Sequence, residues 1–161
     1  MSSGETLATD SQHIAQLKAM REEHVGRLLQ HAYRNFNTRA VAKLRQRGHT
    51  GLTLAHTLLL SHLGLEGTRI TVLAERAGIT KQSMGQLAID LEKHGYVERR
   101  PDPTDGRAIL MHFTDLGWRF LEDSFAIKRE IESEYQAILG EQGFDQLKAA
   151  LNQLIDAEIE S

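Results

Sequence analysis

The sequence contains no cysteine, which excludes disulfide bonds and thiolate chemistry. It has no apolar run approaching the ~20 residues that span a membrane. Its opening stretch, MSSGETLATDSQ, lacks the apolar core of a secretory signal, so the cytoplasm is the expected compartment. Only two prolines occur, Pro101 and Pro103, both within one turn, so neither interrupts the periodic stretches before and after it. A phosphate-cradling glycine loop, a Gly-x-Ser-x-Gly elbow and paired carboxylates in a readable pocket are all missing; no enzyme and no cofactor are expected. Eight histidines are present, but their spacing does not suit a metal. His24 and His31 are seven apart and His56 and His62 six apart, and no His-x-x-x-His or Glu-x-x-His pair shares a helix face with a third ligand. No metal site is expected.

At 161 residues the chain reads as one domain with long helical extensions, large enough to bury a core. The net charge of −3 is unevenly spread. Residues 1–50 carry +4, residues 51–113 are neutral and residues 114–161 carry −7. An acidic last third is repelled by phosphates and is expected to face away from any nucleic acid.

The most informative stretch runs from Ile70 to Phe113. Ile70, Leu73, Ala74 and Ala77 recur at helical spacing, and Gly78 can end that helix in the left-handed conformation. Thr80 is a good N-cap for a second helix, whose buried stripe is Met84, Leu87, Ala88 and Leu91. Its other face carries Lys81, Gln82, Ser83, Gln86 and Asp90. Two short helices crossing at a small residue, Ala74, around a glycine turn make a helix-turn-helix. The N-terminal half of the second helix is the part that enters a major groove. Gln pairs with adenine edges, Ser donates and accepts, and Lys reaches guanine or phosphate. Thr80, Lys81, Gln82, Ser83 and Gln86 are therefore the candidate readers. The plainer reading of the same pattern is a two-helix packing unit with a solvated polar face.

The residues beyond that helix favour a DNA reader. After Gly95, residues 96–100 alternate as a strand. Pro101 to Gly106 is dense turn chemistry, and Ala108 to Phe113 is a second apolar strand. Thr68 to Ile70 can add a third, very short strand. Helix, turn, helix, strand, turn, strand is the order of a winged helix. Arg99, Arg100 and Arg107 flank the turn, and a guanidinium at such a tip can lie in a minor groove. Asp105 is placed to accept hydrogen bonds from the Arg107 fork and hold it.

The run LAERAGITKQSMGQLAIDLEKHGYVERRPDPTDGRA resembles the DNA-binding core of the MarR family of bacterial transcription regulators. Asp105 and Arg107 match the family's Asp-x-Arg wing motif, and LEKHGYVERR matches the end of its recognition helix and its first wing strand. The resemblance extends more weakly over the full length. It implies a mainly α fold with a small β wing: a winged helix-turn-helix core at 53–113, and dimerisation helices at 10–47 and 114–161 of a single 1–161 domain. It implies a homodimeric repressor of double-stranded DNA, released by a small, often aromatic or phenolic effector. The missing cysteine excludes the peroxide-sensing mechanism of some members.

The flanks fit that expectation. Ile14, Leu17, Val25, Leu28, Leu29, Ala32, Phe36, Ala40, Val41 and Leu44 give one long helix, with Gly26 its weak point. Arg34, Arg39, Lys43, Arg45 and Arg47 on its lower half can reach phosphates, although a solvated face explains most of them. Thr53 caps a helix to about Leu63. Thr114 caps another, with Leu116, Phe120, Phe125, Ile127, Ile131, Tyr135, Ile138 and Leu139 on its stripe. Gly140 and Gly143 break it before a last helix of Phe144, Leu147, Leu151, Leu154, Ile155 and Ile159. A second copy is the simplest cover for so much apolar surface. Tyr33, Phe36, His56 and Trp118 are candidate lining for an effector cavity, and ordinary core positions suit them equally. The alternative function is a winged-helix module acting through protein partners.

Overall fold

The computed structural model describes residues 24–157 together with His13, Ile14 and Leu17. The expected helix start between residues 10 and 23, apart from those three, and Ile159 lie outside the described residues. The order is α1 (Val25–Gln46), α2 (Leu54–His62), β1 (Thr68–Arg69), α3 (Ile70–Ala77), α4 (Lys81–Lys93), β2 (Val97–Asp102), β3 (Asp105–Phe113) and α5 (Asp115–Asp156). The architecture is mainly helical with one small antiparallel sheet, as the sequence implies. The chain forms two compact units, residues 1–38 and 39–161, with the division inside α1.

In the first unit, α1 starts immediately after His24, whose ring Nδ1 accepts the Arg27 N–H at 3.3 Å. His24 is a bend, while His13, Ile14 and Leu17 are helical, so the single helix expected over 10–47 is interrupted two residues before Gly26, its expected weak point. Val25, Leu28, Leu29 and Tyr33 are exposed along this unit.

In the second unit, Leu59, Leu60, Leu73, Met84, Ala88, Leu91 and Met111 have no solvent exposure. They join α2, α3, α4 and β3 into one core. Helix α3 is only eight residues long, far below the ~12–15 that make an isolated helix even marginal in water, so packing holds it. Gly78 ends it at φ 64°, the left-handed cap the sequence indicates. Phe120, Ile127 and Ile131 of α5 are buried, as is Leu44 of α1.

The sheet has strand order β1-β3-β2, antiparallel throughout. Thr68 pairs with Met111 and Arg69 with Leu110, which makes the expected short third strand. The wing strands run further than their apolar pattern suggests, and only Pro103 and Thr104 separate β2 from β3. Two features explain this. Pro101 lies on an edge strand, where its missing N–H costs no ladder bond, and the register shifts there in a bulge at Pro101/Asp102. Asp102 then accepts from the Thr104 N–H at 2.8 Å and its hydroxyl at 2.6 Å, closing the turn through a side chain.

Helix α5 is interrupted at Gly140, whose φ of 72° and ψ of 161° are open to glycine alone. No second break occurs at Gly143, which is helical. Downstream of the break, Leu147, Leu154 and Ile155 are exposed, as are Ile138 and Leu139 before it.

Candidate nucleic-acid interface

Thr80 caps α4 as its sequence position suggests. Its hydroxyl oxygen accepts the Ser83 N–H at 3.1 Å, and the two hydroxyls lie 2.9 Å apart. Thr80 and Ser83 are thus partly engaged in holding the helix start. Lys81 and Gln82 are exposed and make no side-chain hydrogen bond or ion pair among the described residues. Gln86 is also exposed, and its amide donates to Asp90 Oδ1 at 3.3 Å. The N-terminal half of α4 therefore presents one free ammonium and one free carboxamide, with a second carboxamide lightly tethered.

The wing arginines are not equivalent. Arg99 Nε lies 3.1 Å from Glu92 Oε2 of α4. Arg100 Nε donates to Glu98 Oε1 at 2.7 Å. Both guanidiniums thus have a carboxylate partner within the protein. Arg107 is exposed and makes no ion pair among the described residues. The expected bond from its guanidinium to Asp105 is not made. Asp105 Oδ1 accepts the Arg107 backbone N–H at 3.2 Å, while Asp105 Oδ2 lies 3.5 Å from Arg69. The guanidinium beside Asp105 is instead that of Arg69 of β1, a neighbour that the local sequence does not reveal. Its Nε donates to Asp102 Oδ2 at 2.9 Å. The Thr104 hydroxyl and Arg69 together hold the buried Asp102 carboxyl well below the usual carboxylate range.

Three cations in the second half of α1 and just past its end, Arg39, Lys43 and Arg47, have another task. Lys43 pairs with Glu130 at 3.0 Å and Glu134 at 3.2 Å, Arg47 with Asp123 at 2.9 Å and with Glu130, and Arg39 with Glu134. They are not waiting for phosphates: they stitch α1 to α5, and they absorb part of the acidic excess of the last third. The complementary spacings 39, 43, 47 and 123, 130, 134 were a signal available in the sequence. Buried His49 extends the seam, with Nε2 3.0 Å from Asp123 Oδ2 and Nδ1 3.1 Å from the Tyr96 hydroxyl. The His49 bond, then Arg47, hold the Asp123 carboxyl below its ordinary value.

The four candidate effector residues have distinct surroundings. His56 is buried and completes a capping box, accepting the Thr53 N–H on Nδ1 at 3.1 Å while its own N–H reaches Thr53 Oγ1. Trp118 is partly exposed and lies 5.2 Å from the Phe113 ring, centroid to centroid. Tyr33 is exposed and Phe36 half-buried in the first unit. A cleft of about 210 Å³ opens elsewhere, lined by Arg47, Gly48, His49, Leu116, Arg119 and Asp123. Among the described residues no cluster of three or more His, Asp or Glu suits a metal, and no helix is long and apolar enough to cross a membrane.

His56 yields a pH prediction. Burial lowers its pKa from 6.5, against the attraction of Asp90, and His94 lowers it further. A histidine with a depressed folded-state pKa gives full stability above its unfolded pKa. Stability is lost as pH falls through 6.5, because the unfolded chain takes the proton first. His56→Gln keeps a capping-box residue three positions after Thr53. The thermal midpoint of the wild type should therefore fall more than that of His56→Gln between about pH 7.5 and 5.5. Parallel melting curves for the two would remove this role from His56.

Residues 50–108 match the model of the MarR family. The fold is similar to that of a transcriptional regulator from Thermotoga maritima, with 25% identity over 80% of this chain and 89% of that one, and a TM-score of 0.57. It is similar to CouR from Rhodococcus jostii RHA1, solved bound to p-coumaroyl-CoA, with 22% identity, coverage of 87% and 97%, and a TM-score of 0.66. It is also similar to BpsR from Bordetella bronchiseptica, whose DNA binding is regulated by 6-hydroxynicotinic acid, with 19% identity, coverage of 85% and 96%, and a TM-score of 0.64. No curated protein matches the sequence.

Proposed function

We propose that this chain, whose residues 50–108 match the model of the MarR family, is a transcription regulator of that family and represses promoters as a homodimer on palindromic DNA. The observation that carries this reading is the exposed, polar start of α4. Lys81, Gln82 and Gln86 are suited to base edges, and the wing carries a cation, Arg107, without an acidic partner among the described residues. Arg99 and Arg100 contribute less, because Glu92 and Glu98 already share their charge. Thr80 and Ser83 fix the helix start, and Asp105 shapes the tip.

The homodimer rests on exposed apolar side chains. Val25, Leu28 and Leu29 in the first unit, and Ile138, Leu139, Leu154 and Ile155 in the second, are all more than 40% exposed. Exposed apolar side chains in each unit call for cover, and two-fold pairing is the commonest way to supply it.

A small aromatic or phenolic molecule is the effector class this reading takes, by analogy with the p-coumaroyl-CoA of CouR and the 6-hydroxynicotinic acid of BpsR. Of the four candidates, His56 is already committed to the α2 cap, whereas Trp118 and Tyr33 offer exposed rings. The cleft beside His49, at about 210 Å³, is smaller than the ~300–1,000 Å³ of ordinary ligand pockets. An effector would have to widen it or bind where a second copy closes over the chain.

The test is selection of bound duplexes from a random pool, paired with sedimentation of the protein. A recovered palindrome with half-site centres ~10 bp apart, bound by two copies, is the expected result. A selected site without dyad symmetry would overturn the dimer model. Recovery of no sequence at all would move the function to protein partners.

A further inference from the structure

Arg69 lies outside every segment expected to touch DNA, yet its side chain governs the wing tip. It is the last residue of β1, whose pairing with β3 stops at Leu110. Beyond that point the wing is a two-stranded ribbon of β2 and β3. Such a ribbon is marginal by itself in water.

The ribbon tip also carries two carboxylates, Asp102 and Asp105. Asp102 is only 7% exposed, so its charge needs a partner. Arg69 reaches from β1 to supply one, with Nε 2.9 Å and a terminal nitrogen 2.5 Å from Asp102 Oδ2. The same terminal nitrogen lies 3.5 Å from Asp105 Oδ2. Both carboxylates also hold backbone of the tip: Asp102 accepts the Thr104 N–H, and Asp105 accepts the Arg107 N–H. One guanidinium is thus joined through Asp102 to the Thr104 N–H, and lies beside the Asp105 carboxylate that accepts the Arg107 N–H.

We propose that Arg69 is the positioning residue of the wing: it ties the tip to β1, pairs with Asp102, partly screens Asp105, and thereby presents Arg107 to DNA. This rests on the DNA-binding reading above. Without Arg69, two carboxylates at the tip would face a polyanion unscreened, and the Arg107 amide would lose the fixed carboxylate that orients it. Arg69 itself need not touch the duplex.

The test is a double-mutant cycle on the full chain, using the selected duplex across a salt series. Arg69→Met keeps the aliphatic stem and removes the charge. It should weaken binding about tenfold, the scale of one charged hydrogen bond, and flatten the salt slope as Arg107→Ala does. In the Arg107→Ala background the same change should cost less than about twofold, because the residue it serves is already gone. Arg69→Lys should restore part of the loss. Arg69→Met with Asp102→Asn removes both charges, and guards against a fold weakened by a stranded carboxylate.

Equal losses from Arg69→Met with and without Arg107 would overturn the proposal and make Arg69 an independent phosphate contact. Binding unaffected by Arg69→Met would also overturn it. If the wild-type chain binds no duplex, the DNA reading fails and this inference with it. If Arg107→Ala weakens binding while Arg69 acts additively, only this inference fails.

Discussion

Replacing Gly117 with alanine should lower the thermal midpoint of the protein by several degrees, although alanine is the better helix former. Gly117 lies in the first turn of α5, and its N–H donates to the Thr114 hydroxyl of the N-cap. A Cβ there would stand 2.1 Å from the Tyr96 carbonyl oxygen and 3.0 Å from the Phe113 ring. The carbonyl belongs to backbone that already accepts the Thr114 N–H at 3.2 Å, so it cannot rotate away cheaply. Overpacking costs about 1–3 kcal/mol, and a rigid backbone neighbour puts this site at the upper end. Helix propensity returns about 1 kcal/mol. The remainder, about 2 kcal/mol, corresponds to a fall of roughly 4–8 °C for a chain of this size. Gly85 is the control: it lies inside α4 with nothing within 4 Å of its added Cβ. Gly85→Ala should therefore leave the midpoint unchanged or raise it. A Gly117→Ala protein that melts at or above the wild type would show that α5 does not depend on this close approach.

Gly117 shows what the linear pattern conveys and what it hides. The periodicity of Leu73, Ala74, Met84, Ala88 and Leu91 identifies the helix-turn-helix, because those residues alternate with polar ones at helical spacing and all are buried. Thr53, Thr80 and Thr114 mark three helix starts, because an N-cap acts within three residues of itself. Local rules of that reach are readable. The wing tip is not, since Arg69 and Asp102 are 33 positions apart, and nothing near Asp105 says that a distant arginine will compete for it. His49 is the same case. It looks like part of a glycine-bounded break, yet its partners are Tyr96 and Asp123, 47 and 74 positions away. The seam between α1 and α5 was half legible: two stripes of opposite charge could be written down, but not that they would meet.

The proposed division of labour between the wing and α4 gives the other large expected effect. Arg107→Ala should weaken binding to matched and scrambled duplexes by similar factors, because a guanidinium in a minor groove senses width and potential, not base identity. The salt dependence should flatten by about two phosphate-equivalents per dimer, one for each wing. Arg99→Ala and Arg100→Ala should change the slope less, because Glu92 and Glu98 already share those charges. Gln82→Ala and Gln86→Ala should behave in the opposite way, each costing about 1–3 kcal/mol on the preferred site alone, with the salt slope nearly unchanged. Of the two, Gln82 is the cleaner probe. Gln86 donates to Asp90, so its removal also frees a carboxylate beside the duplex, and a small uniform loss should accompany the specific one. The measurement is binding of each variant to a matched and a scrambled duplex over a range of salt, with melting curves to confirm an intact fold. If Arg107→Ala alters neither affinity nor slope in a folded protein, the wing is not a DNA contact, and a protein partner becomes the better account of α4's polar face.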